Sequence, residues 1–437
     1  MSRQIPLIAL VLCLCGLGWL LPAAQADASA HRSPAAPLGG VNVLGLFNGA
    51  SLSNADSEIA VARKLHARVV RAEVPWSTLE PTGPGAIQPR AVAFLDRLIG
   101  DAASAGIRVI VFVDSTPCWD SSAPAPLLAS CSPYEYSQAN SWPPRDPADY
   151  GAVCAFLAQR YGTRLAAIEI WNEPDQSNED YFAGTNKVQL YAELLRAAYP
   201  AIKQANPQVP VLAGSLVGAN GAFLRDLYAD GIKGYYNGLA VHFYTLTLRG
   251  VRAIHEVQLA NGDTTPVWLT EFGWSSCYPA QQVQEEQTCV TTQTQASNIT
   301  NTFRSLARAP YVAADVLYDL QNSGTEKFGV LTASGARKPA FNALAQVLAS
   351  PFGNPSPVTL SLRRRGSQVL AAGSGPVGDV MQLEAFRGRV LRYKAVFTLD
   401  RFNRYALLLP QVLGTSGLRV RVYQYWAGLG KAAQRTI

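Results

Sequence analysis

Short apolar runs alternate with longer stretches of helical periodicity through most of the chain, and the alternation repeats eight times. The apolar runs lie at 41–46, 67–76, 107–113, 165–170, 209–214, 238–244, 266–271 and 313–320. They are short and bounded by turn residues, which predicts buried strands. Between and after them, 56–66, 90–105, 150–161, 189–205, 222–230, 251–259, 297–309 and 339–348 carry apolar residues at helical spacing. Strand and helix alternating in this way over residues 39–350 predicts an α/β chain closed into a (β/α)8 TIM barrel. Past Pro351-Phe352-Gly353-Asn354-Pro355 the pattern changes to short, often alternating runs separated by Gly or Asp. Residues 355–437 therefore read as a small antiparallel β-domain, sandwich-like, expected to brace the barrel, with carbohydrate binding as the alternative. Within it, Arg363-Arg364-Arg365 reads as a solvated turn.

Two of the strand ends carry candidate chemistry. The fourth run closes on Trp171-Asn172-Glu173-Pro174-Asp175, where Pro174 cannot continue the strand ladder. The seventh closes on Thr270-Glu271-Phe272-Gly273-Trp274, again a glutamate followed by a small residue that turns the chain. The two glutamates are 98 positions apart (271 less 173), the length of three βα units. Barrel closure would bring both onto one rim. Paired carboxylates there suit glycoside hydrolysis, one protonating the leaving oxygen while the other attacks or activates water.

Composition narrows the alternatives. Hydrophobic residues make up 48% of the 437 positions and charged residues 16%, enough apolar mass for a large core and too little charge for a disordered chain or nucleic-acid binder. Residues 1–26 have the shape of a secretory signal: Arg3, an apolar segment from Ile5 to Leu21, and Ala24-Gln25-Ala26 before the cleavage point. An uncleaved anchor is the alternative. Residues 27–38 read as a flexible lead-in. Cleavage would leave 36 basic and 31 acidic residues, a formal charge of +5 that permits an acidic polysaccharide partner without requiring one. The reading is a secreted or periplasmic protein with no stable membrane insertion; oligomeric state is not legible.

Cysteine placement agrees with an oxidising compartment. Cys118 and Cys131 share one loop and Cys277 and Cys289 another, so two local disulfides are expected, with Cys154 left in an apolar helix. There is no C-x-x-C pair, and the four histidines have no ligand-like spacing, so neither metal nor cofactor is expected. The stretch 114–149 has no clear periodicity; a loop that long is usually functional. It carries Trp119, Tyr134, Tyr136 and Trp142, rings suited to the flat C–H faces of sugars. Asn298-Ile299-Thr300 fits the glycosylation sequon. Serine-hydrolase, phosphate-loop and nucleic-acid motifs are missing.

Asn172-Glu173-Pro174 ending the fourth strand and Glu271 ending the seventh resemble the retaining glycoside hydrolases of clan A, the 4/7 barrel superfamily. Trp142-Pro143-Pro144-Arg145-Asp146-Pro147 and the trailing β-domain extend the resemblance to glycoside hydrolase family 39 and related endoglycosidases of secreted exopolysaccharides. The resemblance implies Glu173 as general acid/base and Glu271 as nucleophile in a double displacement. It implies Asn172 on the sugar 2-hydroxyl, Arg71 supporting the nucleophile, and His242 with Tyr244 as the sixth-strand pair. On charge grounds a nearby guanidinium keeps Glu271 ionised, while a less polar setting raises the pKa of Glu173. One departure stands out: many clan members end the eighth strand on a tryptophan, where this chain has Tyr318, taken as its substitute. Trp119 is taken as a further sugar contact, with Asp114 and Glu326 as candidates. The substrate expected is a poly- or oligosaccharide. A silent carbohydrate-binding barrel and a transglycosylase are the competing readings.

Overall fold

The computed structural model describes residues 37–46, 50–218, 220–244, 248–279, 289–352, 356–376, 380–424 and 432–437. The signal and nearly all of the lead-in lie outside the described residues. Eight parallel strands close into a barrel in sequence order: β1 Leu38–Asn42, β2 Val69–Pro75, β3 Arg108–Asp114, β4 Leu165–Ile170, β5 Val211–Val217, β6 Gly238–Phe243, β7 Val267–Phe272 and β8 Val312–Leu317. β1 pairs with both β2 and β8, which completes the ring. The eight outer helices are α1 Leu52–Lys64, α2 Pro89–Ser104, α3 Pro147–Tyr161, α4 Lys187–Ala205, α5 Gly221–Ala229, α6 Leu248–Ala260, α7 Thr292–Leu306 and α8 Pro339–Ala349. Every strand and helix expected of the barrel is present, displaced by a few residues at most.

Local chemistry sets several boundaries. Prolines open α2, α3 and α8, where the missing N–H would be unsatisfied anyway. Asp146 caps α3 by accepting from Ala148 N, and Thr291 caps α7 by accepting from Thr294 N, each worth about 1 kcal/mol. The strands are covered by helices outside and filled by side chains inside, so β4, β6 and β7 are buried at every position. This is why they appear as apolar runs without strict alternation.

Inside the ring, Val69, Ile110, Ala166, Ala167, Leu212, Ala240, Trp268, Ala314 and Val316 form an apolar floor. Because strand side chains repeat with a period of two, the same inward row continues upward from Val69 to Arg71 and Glu73, from Ile110 to Phe112 and Asp114, and from Ala240 to His242. The apolar floor thus gives way to a polar layer at the mouth.

After the barrel come β9 Ser361–Arg365, β10 Gln368–Ser374, β11 Val380–Arg387, β12 Val390–Thr398, β13 Arg404–Leu408, β14 Leu418–Gln424 and β15 Ala433–Thr436. They form two antiparallel sheets, ordered β13-β10-β9 and β12-β11-β14-β15, around a second apolar cluster that includes Val369, Met381, Leu383 and Val420. Arg363-Arg364-Arg365 is not a turn: the three residues end β9 and pair with β10, their side chains exposed. The sheets meet α7 directly. Ser356 N donates to Asn301 Oδ1 at 2.8 Å, and Asn403 Nδ2 donates to Asn298 Oδ1. Asn298, the sequon asparagine, is therefore buried and occupied.

Candidate active site

Arg71 organises the mouth. It is 1% exposed, and its five donor contacts reach across the barrel mouth to residues of β1, β7 and the end of β4. Nε and Nη2 fork onto Glu169 at 2.9 and 3.2 Å, Nη2 also reaches Asn172 Oδ1 at 2.8 Å, and Nη1 donates to Glu271 Oε1 at 2.6 Å and Asn42 Oδ1 at 3.2 Å. Its plane lies 3.8 Å above the Phe112 ring. Burial disfavours the charge, but Glu169 and Glu271 more than compensate and raise its pKa further. A planar fork with five donors suits this task in a way an ammonium does not.

Glu271 owes its direction to an irregularity in β7. The inward row runs through Trp268 and Thr270, so simple alternation would turn Glu271 outward. Register breaks opposite Val241/His242 on β6 and between Leu269 and Phe272 against β8. Such a bulge re-aims a side chain, and here both Thr270 and Glu271 join the inner network: Thr270 Oγ1 donates to Glu169 at 3.1 Å, and Glu271 takes Arg71 and the Tyr244 hydroxyl. Gly273 follows because a Cβ there would collide with the Tyr318 carbonyl.

Glu173 is turned by backbone conformation. Trp171 and Glu173 have φ of 67° and 48°, a left-handed region that non-glycine residues rarely occupy. Trp171 is fully buried between Tyr150 and Phe182, its indole N–H bonded to Tyr181 O at 2.8 Å. Glu173 Oε1 meets His242 Nδ1 at 2.7 Å, and Oε2 accepts from Gln176 at 2.8 Å. His242 Nδ1 is also 3.5 Å from Glu271 Oε2. One oxygen of each glutamate and a His242 nitrogen lie within 4.8 Å of one another.

The electrostatics differ from the expectation at Glu173. Burial works to raise its pKa, but the His242 bond and charge, Gln176 and Arg71 outweigh it and hold the carboxyl below its usual range. Burial likewise opposes charge on His242, and Glu271 and Glu173 overcome it, so its pKa rises. The cationic partners around the pair thus favour the ionised form of Glu173 and the protonated form of His242. Burial and Glu271 push the Tyr244 phenol well up, so it remains a donor.

Of the residues singled out in the sequence, Asn172, Glu173, Arg71, His242, Tyr244 and Glu271 converge. Tyr318 follows β8, packs edge-on to Tyr244 and donates to Glu326 at 2.9 Å. Trp119 does not join them. Its half-buried ring packs against Trp76 and its N–H donates to Glu80 O at 2.8 Å, which ties it to the long loop away from the two glutamates. Tyr134, Tyr136 and Tyr181 are exposed and line the hollow beside Asp114 and Asn172. Both expected disulfides form, Cys118–Cys131 and Cys277–Cys289, leaving Cys154 buried and free. Residues not singled out include Glu169, hidden in an apolar run, Asn42, which donates to Thr270 O at 2.9 Å, and Glu73.

Two adjoining hollows sharing Glu73 and Phe112 form a trough across the mouth, of about 170 and about 410 Å3. The larger alone falls in the usual range of ligand pockets. Among the described residues, Glu173, His242 and Glu271 are spaced to hold a metal ion. Arg71 at 2.6 Å from Glu271 already supplies the positive charge a dication would bring there.

Fold and mouth together define a glycosidase-type barrel. The chain belongs to the cellulase family, glycosyl hydrolase family 5, whose family model matches residues 33–308. This bears out the clan A resemblance of the two strand ends. Similar solved structures include a family 39 glycoside hydrolase of Bacteroides cellulosilyticus WH2 (17% identity, 86% of this chain and 81% of that one, TM-score 0.55). Another is the family 39 enzyme of Xanthomonas axonopodis pv. citri (15%, 96% and 100%, 0.53). At these identities the likeness is one of fold. A 56-residue stretch is 38% identical to 6-phospho-beta-galactosidase of Lacticaseibacillus casei; the match spans 13% of this chain and only 12% of the length of those curated relatives. Among the described residues no helix is long and apolar enough to cross a membrane.

Proposed function

We propose that this protein is a secreted retaining glycoside hydrolase that cleaves O-glycosidic bonds of a poly- or oligosaccharide, with an exopolysaccharide as the expected natural source. The observation that carries the reading is the approach of Glu173 and Glu271 oxygens to within 4.8 Å. Retaining pairs stand about 5–5.5 Å apart, whereas inverting pairs leave about 6.5–9.5 Å for a water.

In the first step a Glu271 oxygen attacks the anomeric carbon, the glycosidic C–O bond breaks, and the leaving oxygen takes a proton from Glu173. In the second, Glu173 as carboxylate removes a proton from water, the hydroxide oxygen bonds to the anomeric carbon, and Glu271 departs with its electron pair. Arg71 and Tyr244 donate hydrogen bonds to the two Glu271 oxygens and hold the carboxylate in place. His242 holds the proton Glu173 needs: transfer from Nδ1 across 2.7 Å arms the acid. Two disulfides and the leader-like start fit an extracellular setting.

The test is the anomer first formed from a cleaved glycan, followed by NMR. Retention is expected, together with near-complete loss of turnover in Glu271→Gln. Inversion, or normal turnover by that variant, would overturn the assignment.

A further inference from the structure

The smaller hollow, beside Glu271, carries four acids among apolar, aromatic and amide neighbours. Glu58 from α1, Glu73 from β2 and Asp319 after β8 line it together with Glu271. Its cation among the described lining residues is Arg71, whose five donor contacts are already committed. Glu58 is 6% exposed, and among the described residues its carboxyl oxygens have no well-formed hydrogen bond, only the backbone N–H groups of Leu44 and Gly45 facing them at poor geometry. Asp319 Oδ1 and, in the adjoining hollow, Asp114 Oδ1 are also buried and unpartnered. Buried polar atoms are nearly always paired, and each exception calls for a cause. Four buried acceptor oxygens along one trough lack a well-formed hydrogen bond, which leaves room there for a further donor and for positive charge. The contrast with the whole chain, formally +6, places this acidity at the mouth rather than in the protein at large.

We propose that the hollow beside Glu271 receives a protonated amine, so that the substrate is a glycan containing amino sugars with free amino groups. This rests on the glycosidase reading and names the substrate class of that site. An ammonium brings three donors and one positive charge, where a hydroxyl brings one donor and no charge. The acids behave as a set awaiting a cation. Burial pushes Glu58 to about 7 and Asp319 to about 8, and burial with the neighbouring Asp114 raises Glu73. An ammonium among them would restore their ionisation. An acetamide, neutral and bulkier, would bring no such charge.

The experiment uses the full chain carrying Glu271→Gln, titrated calorimetrically with matched β-1,4 tetrasaccharides of glucosamine, N-acetylglucosamine and glucose at about pH 6, where amines are protonated. The glucosamine oligomer should bind at least about tenfold more tightly than the other two, as charged hydrogen bonds exceed neutral ones. Its binding should release protons, seen by repeating the titration in buffers of different ionisation enthalpy. Adding Glu58→Gln or Asp319→Asn should reduce the preference towards unity with the circular dichroism spectrum unchanged. Equal or weaker binding of the amine, binding without proton release, or calcium binding that Glu58→Gln abolishes would each overturn the proposal. Absence of turnover by the wild-type chain on every glycan would instead count against the hydrolase reading and leave the binding preference to be scored on its own.

Discussion

Replacing Arg71 with lysine keeps the charge and removes the fork. Arg71 makes five hydrogen bonds to four residues, two to Glu169 and one each to Asn172, Glu271 and Asn42. A lysine ammonium has three donors at one point, so at least two of the five bonds are lost in a site that is 1% exposed. Hydrogen bonds to charged groups contribute about 1.5–3 kcal/mol each, which gives an expected destabilisation of about 3–6 kcal/mol. Urea unfolding followed by tryptophan fluorescence would measure it. Activity should suffer beyond stability, because Arg71 aligns both Asn172 and Glu271; a displacement near 1 Å can cost about a hundredfold in rate. The two readouts separate the roles, since kcat is measured far below the unfolding transition. A lysine variant within about 1 kcal/mol of the wild type and with unchanged kcat would refute the idea that this guanidinium holds the site together.

Other outcomes follow from the same geometry. In the Glu173–His242 pair the proton is lost as pH rises through the elevated His242 pKa, so that event should set the alkaline limb of kcat/KM. His242→Gln should move that limb to lower pH, and a limb that stays in place would remove histidine from the proton account. Glu173→Ala should slow substrates with poor leaving groups far more than activated aryl glycosides, and equal losses would argue against an acid role. Glu58 has a folded pKa of about 7 against a usual 4.5, a raised value. Its contribution is therefore most favourable below the unfolded pKa and is lost as pH climbs towards 7, amounting to about 3 kcal/mol. Glu58→Gln should accordingly stabilise the chain at about pH 8 and not at about pH 4, where a melt showing no pH-dependent gain would contradict the burial argument.

The barrel was legible because its signal is repeated. Eight buried strands, each followed by a helix, leave little room for another topology, and Glu173 and Glu271 lay at strand ends where turn residues mark the rim. What stayed hidden depended on contacts between elements. Glu169 sits in the run Ala166 to Ile170 and looks like an interruption of a strand until Arg71 arrives from β2. The bulge that turns Glu271 inward has no sequence signature in a short apolar run. The lowered pKa of Glu173 comes from His242, 69 positions away, and local polarity alone predicts the opposite sign. Trp119 stands apart from the two glutamates for the same reason: loop composition reveals that a ring is available, and only packing on Trp76 decides which way it faces.

The seam between α7 and the C-terminal sheets has a practical corollary for production in yeast or animal cells. Asn298 is 1% exposed and already bonded to Asn403, so an oligosaccharyltransferase meeting the folded chain finds no acceptor there. A version cut near residue 356 would lose Asn403 and present that asparagine on an uncovered helix. The trailing sheets thus act as a mask, and a glycan at position 298 would report that the mask had come off.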